Sequence, residues 1–469
     1  MLNSMPGNSN LKSINACTPV RFRHFIAVVL AGLILSSCST VNDLVPDAVS
    51  DLLPGKAEEA PLEGERRAVL KNAANSLGVE AEASASPVTI PQAYVNSNWA
   101  QPGGVPSNAI EHPALSAQPK RLWKTNAGSG SSSSGRLTAS PIVAGNFIFV
   151  LDTRATVRAF STANGGALWS VALTPKGEED DEGFGGGIAA GDGKVFAVTA
   201  FGSVVALDMA SGKIIWRREL GVPFRSAPTV KSGRVYAITV NNEIFALNAS
   251  DGETAWKFRG VSESAGLLAS TSPAVSGGYV IVPYSSGDIV AFREADGSPV
   301  WTDSLTKTGS LSSLAQLNDI SGRPVVYDNK VYAISHGGRF SSLDLKTGAR
   351  VWGRNISGVQ TPWVAGDTIF VLSLENKVMA LSRNSGKVRW IAALDEMIKG
   401  DGKSQWSGPV LAGGRLWLVS SKGQALTLSP QSGKNLGSFS VGGSMFIAPI
   451  VANNTIYFLT DSAGLIAMR

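Results

Sequence analysis

Val205-Ala-Leu-Asp-Met-Ala-Ser-Gly-Lys-Ile-Ile-Trp216 is one copy of a pattern that runs through most of this 469-residue chain. Phe245-Ala-Leu-Asn-Ala-Ser-Asp-Gly-Glu-Thr-Ala-Trp256 and Val290-Ala-Phe-Arg-Glu-Ala-Asp-Gly-Ser-Pro-Val-Trp301 repeat it. Further copies end at Trp169, Trp352 and Trp390. A seventh, Leu426 to Gly437, keeps Ser432-Gly433 but has Gly where Trp is expected. The terminal positions lie 38 to 51 residues apart. A fixed period of that size indicates a repeat architecture.

Each copy follows a second landmark, a Pro or small residue before an apolar pair. It reads Pro141-Ile-Val, Pro228-Thr-Val, Pro273-Ala-Val, Pro324-Val-Val, Pro362-Trp-Val, Pro409-Val-Leu and Pro449-Ile-Val, with Gly187-Ile-Ala filling the remaining slot. That makes eight units. Within a unit the apolar runs are short, β-branched and bounded by Asp, Asn or Ser before Gly, as in antiparallel hairpins. In the second unit, Ile188 onward, Lys194–Thr199, Val204–Leu207 and Lys213–Trp216 read as four strands. Four-stranded units at this spacing predict an all-β, eight-bladed β-propeller. The Trp supplies a large apolar plate between blades.

The chain's two ends predict how the ring closes. Unit eight runs out after its third strand, near Met468. The missing fourth strand, with its Trp, stands at the other end as Arg121-Leu-Trp123-Lys, 46 residues before Trp169. The propeller is therefore expected over 89–469, with 89–120 as a lead-in, and closure removes exposed sheet edges between first and last blades. Seven tryptophans, Trp123, Trp169, Trp216, Trp256, Trp301, Trp352 and Trp390, carry the structural repeat.

Composition narrows the chemistry. The only cysteines are Cys17 and Cys38, and the only histidines His24, His112 and His336. Disulfide frameworks, zinc ribbons and cysteine nucleophiles are thus excluded from the repeat region, and a site built on several histidines has no material. Residues 1–37 hold Lys12, Arg21 and Arg23 and no acid, leaving 38 basic against 36 acidic side chains beyond them. So balanced a surface gives no electrostatic case for nucleic acid.

The N-terminus reads as an address. Arg21, Arg23 and His24 precede the apolar run Phe25–Leu35, and Ser36-Ser37-Cys38 follows. This is the layout of an export signal over 1–37, too short to span a bilayer. Residues 38–88 are poor in aromatics and rich in Ala, Glu, Ser and Pro, a composition that predicts a flexible tether, with one helix over Leu62–Leu77. Leu35-Ser36-Ser37-Cys38 resembles the lipobox of bacterial lipoproteins, which implies acylation of Cys38. Ser39 after it implies the outer membrane, with the domain on the periplasmic face.

The repeat Ala-x-Asp-x-x-(Ser/Thr/Asp)-Gly-x-x-x-Trp is similar to the tryptophan-docking repeat shared by quinoprotein alcohol dehydrogenases and the BamB family of outer-membrane assembly lipoproteins. Trp99-Ala-Gln-Pro-Gly-Gly104 resembles the start of such propellers. The dehydrogenases hold a quinone against adjacent cysteines with calcium nearby; this repeat region has no Cys, nor any Cys-x-x-Cys-His haem attachment sequence. The resemblance therefore implies the assembly family: a non-enzymatic scaffold with no cofactor and no metal. Its implied partners are the periplasmic domains of the β-barrel insertase, other assembly lipoproteins and unfolded β-barrel precursors. Gly266–Pro273 and Leu317–Pro324 resemble that family's partner loops, pointing to Leu267, Leu268 and Asp319, with Ser321 where a second Asp is usual and Ala269 where Arg is usual. A quinone-dependent dehydrogenase and a cell-wall or polysaccharide binder are the alternatives, the latter through Trp363, Trp406 and Trp417 if those are exposed.

Other signals carry less. Glu178–Glu182 lacks the ligand spacing of a calcium loop. Gly183–Gly187 has no following helix or Lys-Ser/Thr to cradle phosphate. His336-Gly-Gly suits a turn in unit five rather than a ligand.

Overall fold

Every repeat unit folds into four antiparallel strands paired with their neighbours. Blade two shows the plan: Gly186–Gly191, Lys194–Thr199, Ser203–Asp208 and Ile214–Glu219, from the inside of the ring outward. The computed structural model describes residues 77–469 apart from 181–182, 184, 225, 263–270, 307–317 and 399–403. These lie in one compact unit, Asn72–Arg469. Cys38 and nearly all of the expected helix over 62–77 fall outside the described residues.

Local chemistry sets each turn. Between first and second strands, Asp192-Gly193, Ser232-Gly233, Asp328-Asn329 and Asn453-Asn454 have positive φ at both residues. That is the hairpin turn whose twist matches its strands. Between third and fourth strands, Asp208 Oδ1 accepts hydrogen bonds from the Ser211 backbone N and Oγ, at 2.9 and 2.6 Å. Asp344 does the same for Thr347. The Asp-x-x-Ser/Thr of the repeat is a turn, not a reaction centre.

The alanine of the repeat has a geometric cause. Ala206 lies opposite Phe196 on the second strand and Trp216 on the fourth. Phe149-Ala159-Trp169, Tyr236-Ala246-Trp256, Phe370-Ala380-Trp390 and Tyr457-Ala467-Trp123 form the same row, as does Tyr332-Ser342-Trp352. The flanking rings stand 5.6 to 6.2 Å apart, centroid to centroid, over the small residue. Just beyond it the register slips, Leu207 facing Ile214, a bulge that bends the outer strand.

Each repeat Trp docks on the next blade. Trp301 Nε1 donates to Leu345 O at 2.8 Å, and a Cβ on Gly348 would fall 2.7 Å from the indole. Gly348 also has φ +71°, so glycine is required there twice over. The same bond recurs from Trp123 to Thr162 and from Trp390 to Pro430. The seventh copy ends in Gly437 for a related reason. Blade eight draws its third and fourth strands, Gly464–Met468 and Arg121–Asn126, from opposite ends of the chain, so no turn joins them. A Trp in blade seven would have no glycine turn to meet. Lys120 and Arg469 seal that corner through two backbone bonds, at 2.6 and 2.9 Å.

The core lies between blades. Phe196, Val198, Val204 and Trp216 of blade two interdigitate with Val235, Ala237, Phe245 and Leu247 of blade three. The largest cluster spans blades seven, eight and one, across the closure. Burial pushes three tyrosines, Tyr236, Tyr332 and Tyr327, up to about 12, helped at Tyr236 by Glu294 and at Tyr327 by its hydrogen bond to Glu111. An unfolded tyrosine titrates near pH 10. Between about pH 10 and 12 the folded ring thus keeps protons that the unfolded chain loses, and stability falls as pH rises through that window. Tyrosinate absorbance should rise partly in step with loss of the circular dichroism signal. Complete titration of all tyrosines near pH 10 with the fold intact would contradict this packing.

Candidate functional site: a plugged channel with one open mouth

Antiparallel alternation sends the chain to the same two faces in every blade. Turns after the first and third strands lie on one face; turns after the second and fourth lie on the other. The lead-in segment closes the first of these faces by touching every blade. Asn96 accepts from Asn453 N in blade eight, and Trp99 exchanges two backbone bonds of 2.8 Å with Val143 in blade one. Ala100 O takes Ala190 N in blade two, and the Gln101 side chain bonds both N and O of Val230 in blade three. Pro106 O and Ser107 O take Val275 N and Val326 N in blades four and five. Thr89 O takes Asp367 N in blade six, and Pro113 O takes Gly413 N in blade seven. Buried His112 is pinned as well: Gly414 N donates to Nε2 at 2.8 Å, so Nδ1 carries the proton and donates to Pro91 O at 2.7 Å. Residues 80–88 of the expected tether lie against blade six. There Glu80 N donates to Val388 O and Arg389 donates to Pro87 O, while Glu80 also pairs with Arg354 on the outer strand of blade five.

Among the described residues, the other face opens into a cavity of about 450 Å³ over the plug. Its walls include Leu137, Pro409, Phe446 and Ile447, with Trp99 and Trp363 stacked 6.2 Å apart. Trp363 Nε1 is held by Glu111 O at 2.7 Å.

The residue before each inner-strand Pro holds an equivalent place in its blade, and those of blades one, five, six, seven and eight line the cavity. It is Ser140, Ala227, Ser272, Thr361, Gly408 or Ala448 in six blades, all small, and Arg323 in blade five. Arg323 uses the space the others leave. Its Nη1 donates to Thr361 Oγ1 and its Nη2 to Ser140 Oγ, both at 3.4 Å. Ser140 belongs to blade one, four blades away and so across the ring: the guanidinium sits near the channel axis. Burial lowers it to about 10, which leaves it charged at neutral pH.

The expected site residues are distributed unevenly. Leu267 and Leu268 fall outside the described residues. Asp319 and Ser321 are 1% and 4% exposed. These two positions, expected to contact a partner, are thus buried: Ile320 between them is anchored in the core between blades four and five, and Asp319 O accepts from His336 N at 3.0 Å. That fixes the segment against the turn after blade five's second strand, and Ser321 and His336 line the cavity instead. Trp417 and Trp406 are buried and offer no stacking platform for a glycan; Trp363 faces the cavity. Arg323 was not singled out from the sequence, although a lone Arg in a set of small residues is visible there. Among the described residues, no three His, Cys, Asp or Glu gather to hold a metal. With no cysteine in the propeller, the donor set does not fit a quinone–calcium centre.

Comparison with known proteins agrees with the architecture. The family model for outer membrane protein assembly factor BamB matches residues 153–392. BamB of Shigella dysenteriae serotype 1 is 30% identical over 346 residues, covering 72% of this chain and 86% of its own, and that of Escherichia coli K12 is equally similar. The crystal structure of BamB from Moraxella catarrhalis superposes with a TM-score of 0.63 at 20% identity, covering 75% of this chain and all of that one. A quinohemoprotein alcohol dehydrogenase from Comamonas testosteroni also reaches 0.63, at 14% identity, so the fold alone does not separate the two classes. The sequence match does: this chain belongs to the BamB family of outer membrane protein assembly factors.

Proposed function

We propose that the chain is a lipid-anchored, non-enzymatic scaffold of the outer-membrane β-barrel assembly machinery. In this reading, residues 1–37 are removed as a signal peptide and Cys38 is acylated. The segment that follows Cys38 then tethers the ring to the periplasmic face of the outer membrane. The open-mouth face docks the periplasmic domains of the insertase and helps other assembly lipoproteins receive unfolded barrel precursors. The family match over 72% of the chain carries the reading.

What supports the choice of face is its loops. Val240, Val261, Leu374 and Phe446 stand on mouth-side turns and are 36–63% exposed. Exposed apolar side chains on loops suit a protein–protein contact. The proposed contact includes Leu268, in the same connection as Val261. The plug occupies the opposite face.

Photo-crosslinking in intact cells tests this, with the probe at Val261, Leu268 or Phe446 and, on the plug side, at Val95, which is 61% exposed. Adducts with the insertase from the mouth positions and none from Val95 are expected. The reverse pattern would overturn the face assignment, and no insertase adduct from any position would overturn the scaffold reading.

A further inference from the structure

We propose that the mouth cavity is a binding site for a small apolar carboxylate. Its carboxyl group would be held near the channel axis by Arg323, Thr361 and Ser321, and its apolar body by Trp363, Phe446 and Ile447.

Three independent observations converge. First, Arg323 is the only Arg or Lys among the described lining residues, and its position is the one large side chain in a set of small ones. Two of its hydrogen-bond acceptors, Thr361 and Ser140, are neutral hydroxyls able to rotate and donate to an anion. Second, Ser321 Oγ is buried against the cavity with no hydrogen-bond partner, an arrangement that costs free energy until something accepts or donates there. Third, the walls are mainly apolar and the far end is sealed by the plug. The cavity is therefore blind, filled and emptied through the mouth, and of ordinary ligand-site size. Arg323 as the one Arg or Lys among the described lining residues suits a monoanion; a phosphate would call for more positive charge.

The test is titration of the full chain with 3-phenylpropionate and with its neutral isostere 3-phenylpropionamide. Isothermal calorimetry and intrinsic tryptophan fluorescence, to which Trp99 and Trp363 contribute among 11 tryptophans, would serve as readouts. The acid should bind saturably and at least tenfold more tightly than the amide, about 1.4 kcal/mol. Arg323→Gln should weaken the acid at least tenfold and leave the amide unchanged, and Ser321→Val should weaken the acid. Should Arg323→Gln also lower the unfolding midpoint, the acid–amide difference on the unaltered protein decides. A tripeptide Gly-Gly-Leu, free or amidated at its C-terminus, separates the sources. Binding of the free peptide points to chain ends, and its exclusion while 3-phenylpropionate binds points to small free acids. Equal binding of acid and amide, or no binding of the acid up to about 10 mM, overturns the proposal.

Discussion

Trp301→Ala is expected to destabilise the ring by about 3–5 kcal/mol, the range for truncating a large aromatic in a packed core. Trp301 is 8% exposed, packs in the cluster between blades four and five, and donates its indole N–H to Leu345 O. Truncation opens a cavity and leaves that carbonyl without its partner. The facing glycine gives a sharper check. Gly348→Ala places a methyl group 2.7 Å from the indole at a positive φ and should be destabilising alone. In the Trp301→Ala background the clash disappears and only the φ cost remains, so the double variant should cost measurably less than the sum. Denaturant midpoints of the four proteins measure this directly. Additivity would mean that Trp301 does not dock on Gly348.

Trp99→Ala should have a comparable cost, about 3–5 kcal/mol, and a different signature. Trp99 is 3% exposed, stacks on Trp363, and is fixed by two backbone bonds to Val143. It anchors a segment whose bonds reach the innermost strand or first turn of all eight blades. Loosening it should raise hydrogen exchange at Ala190, Val275 and Val326, whose amides donate to the lead-in segment in three separate blades. Faster exchange confined to blade one would show that the plug is held piecemeal rather than as a unit.

The repeat made most of the fold legible. Its Trp, Gly and Asp each answer a local demand: a plate for the next blade, a positive φ under that plate, and a side chain that closes the turn. Local demands recur with the period, so they can be read from one sequence. The strand borrowed from Arg121–Asn126 was legible too, because a missing Trp at one end matched a spare Trp at the other.

The candidate site was legible only in part, because its features are not periodic. The plug has no repeat; its role comes from bonds made by eight different residues, one to each blade. Asp319 reads as a partner-loop residue, and nothing local says that it is buried, as it is because the next residue, Ile320, is driven into the core between two blades. Arg323 stood in plain view but gained meaning only when Ser140, 183 residues earlier, met it across the channel. The sequence by itself determined the blade, the number of blades and the closing strand, since short-range turn chemistry and a regular apolar pattern are local properties of the chain. Only the tertiary structure decided which face is shut, which is open and what lines the opening. Those depend on contacts between residues far apart in sequence, brought together by closure of the ring.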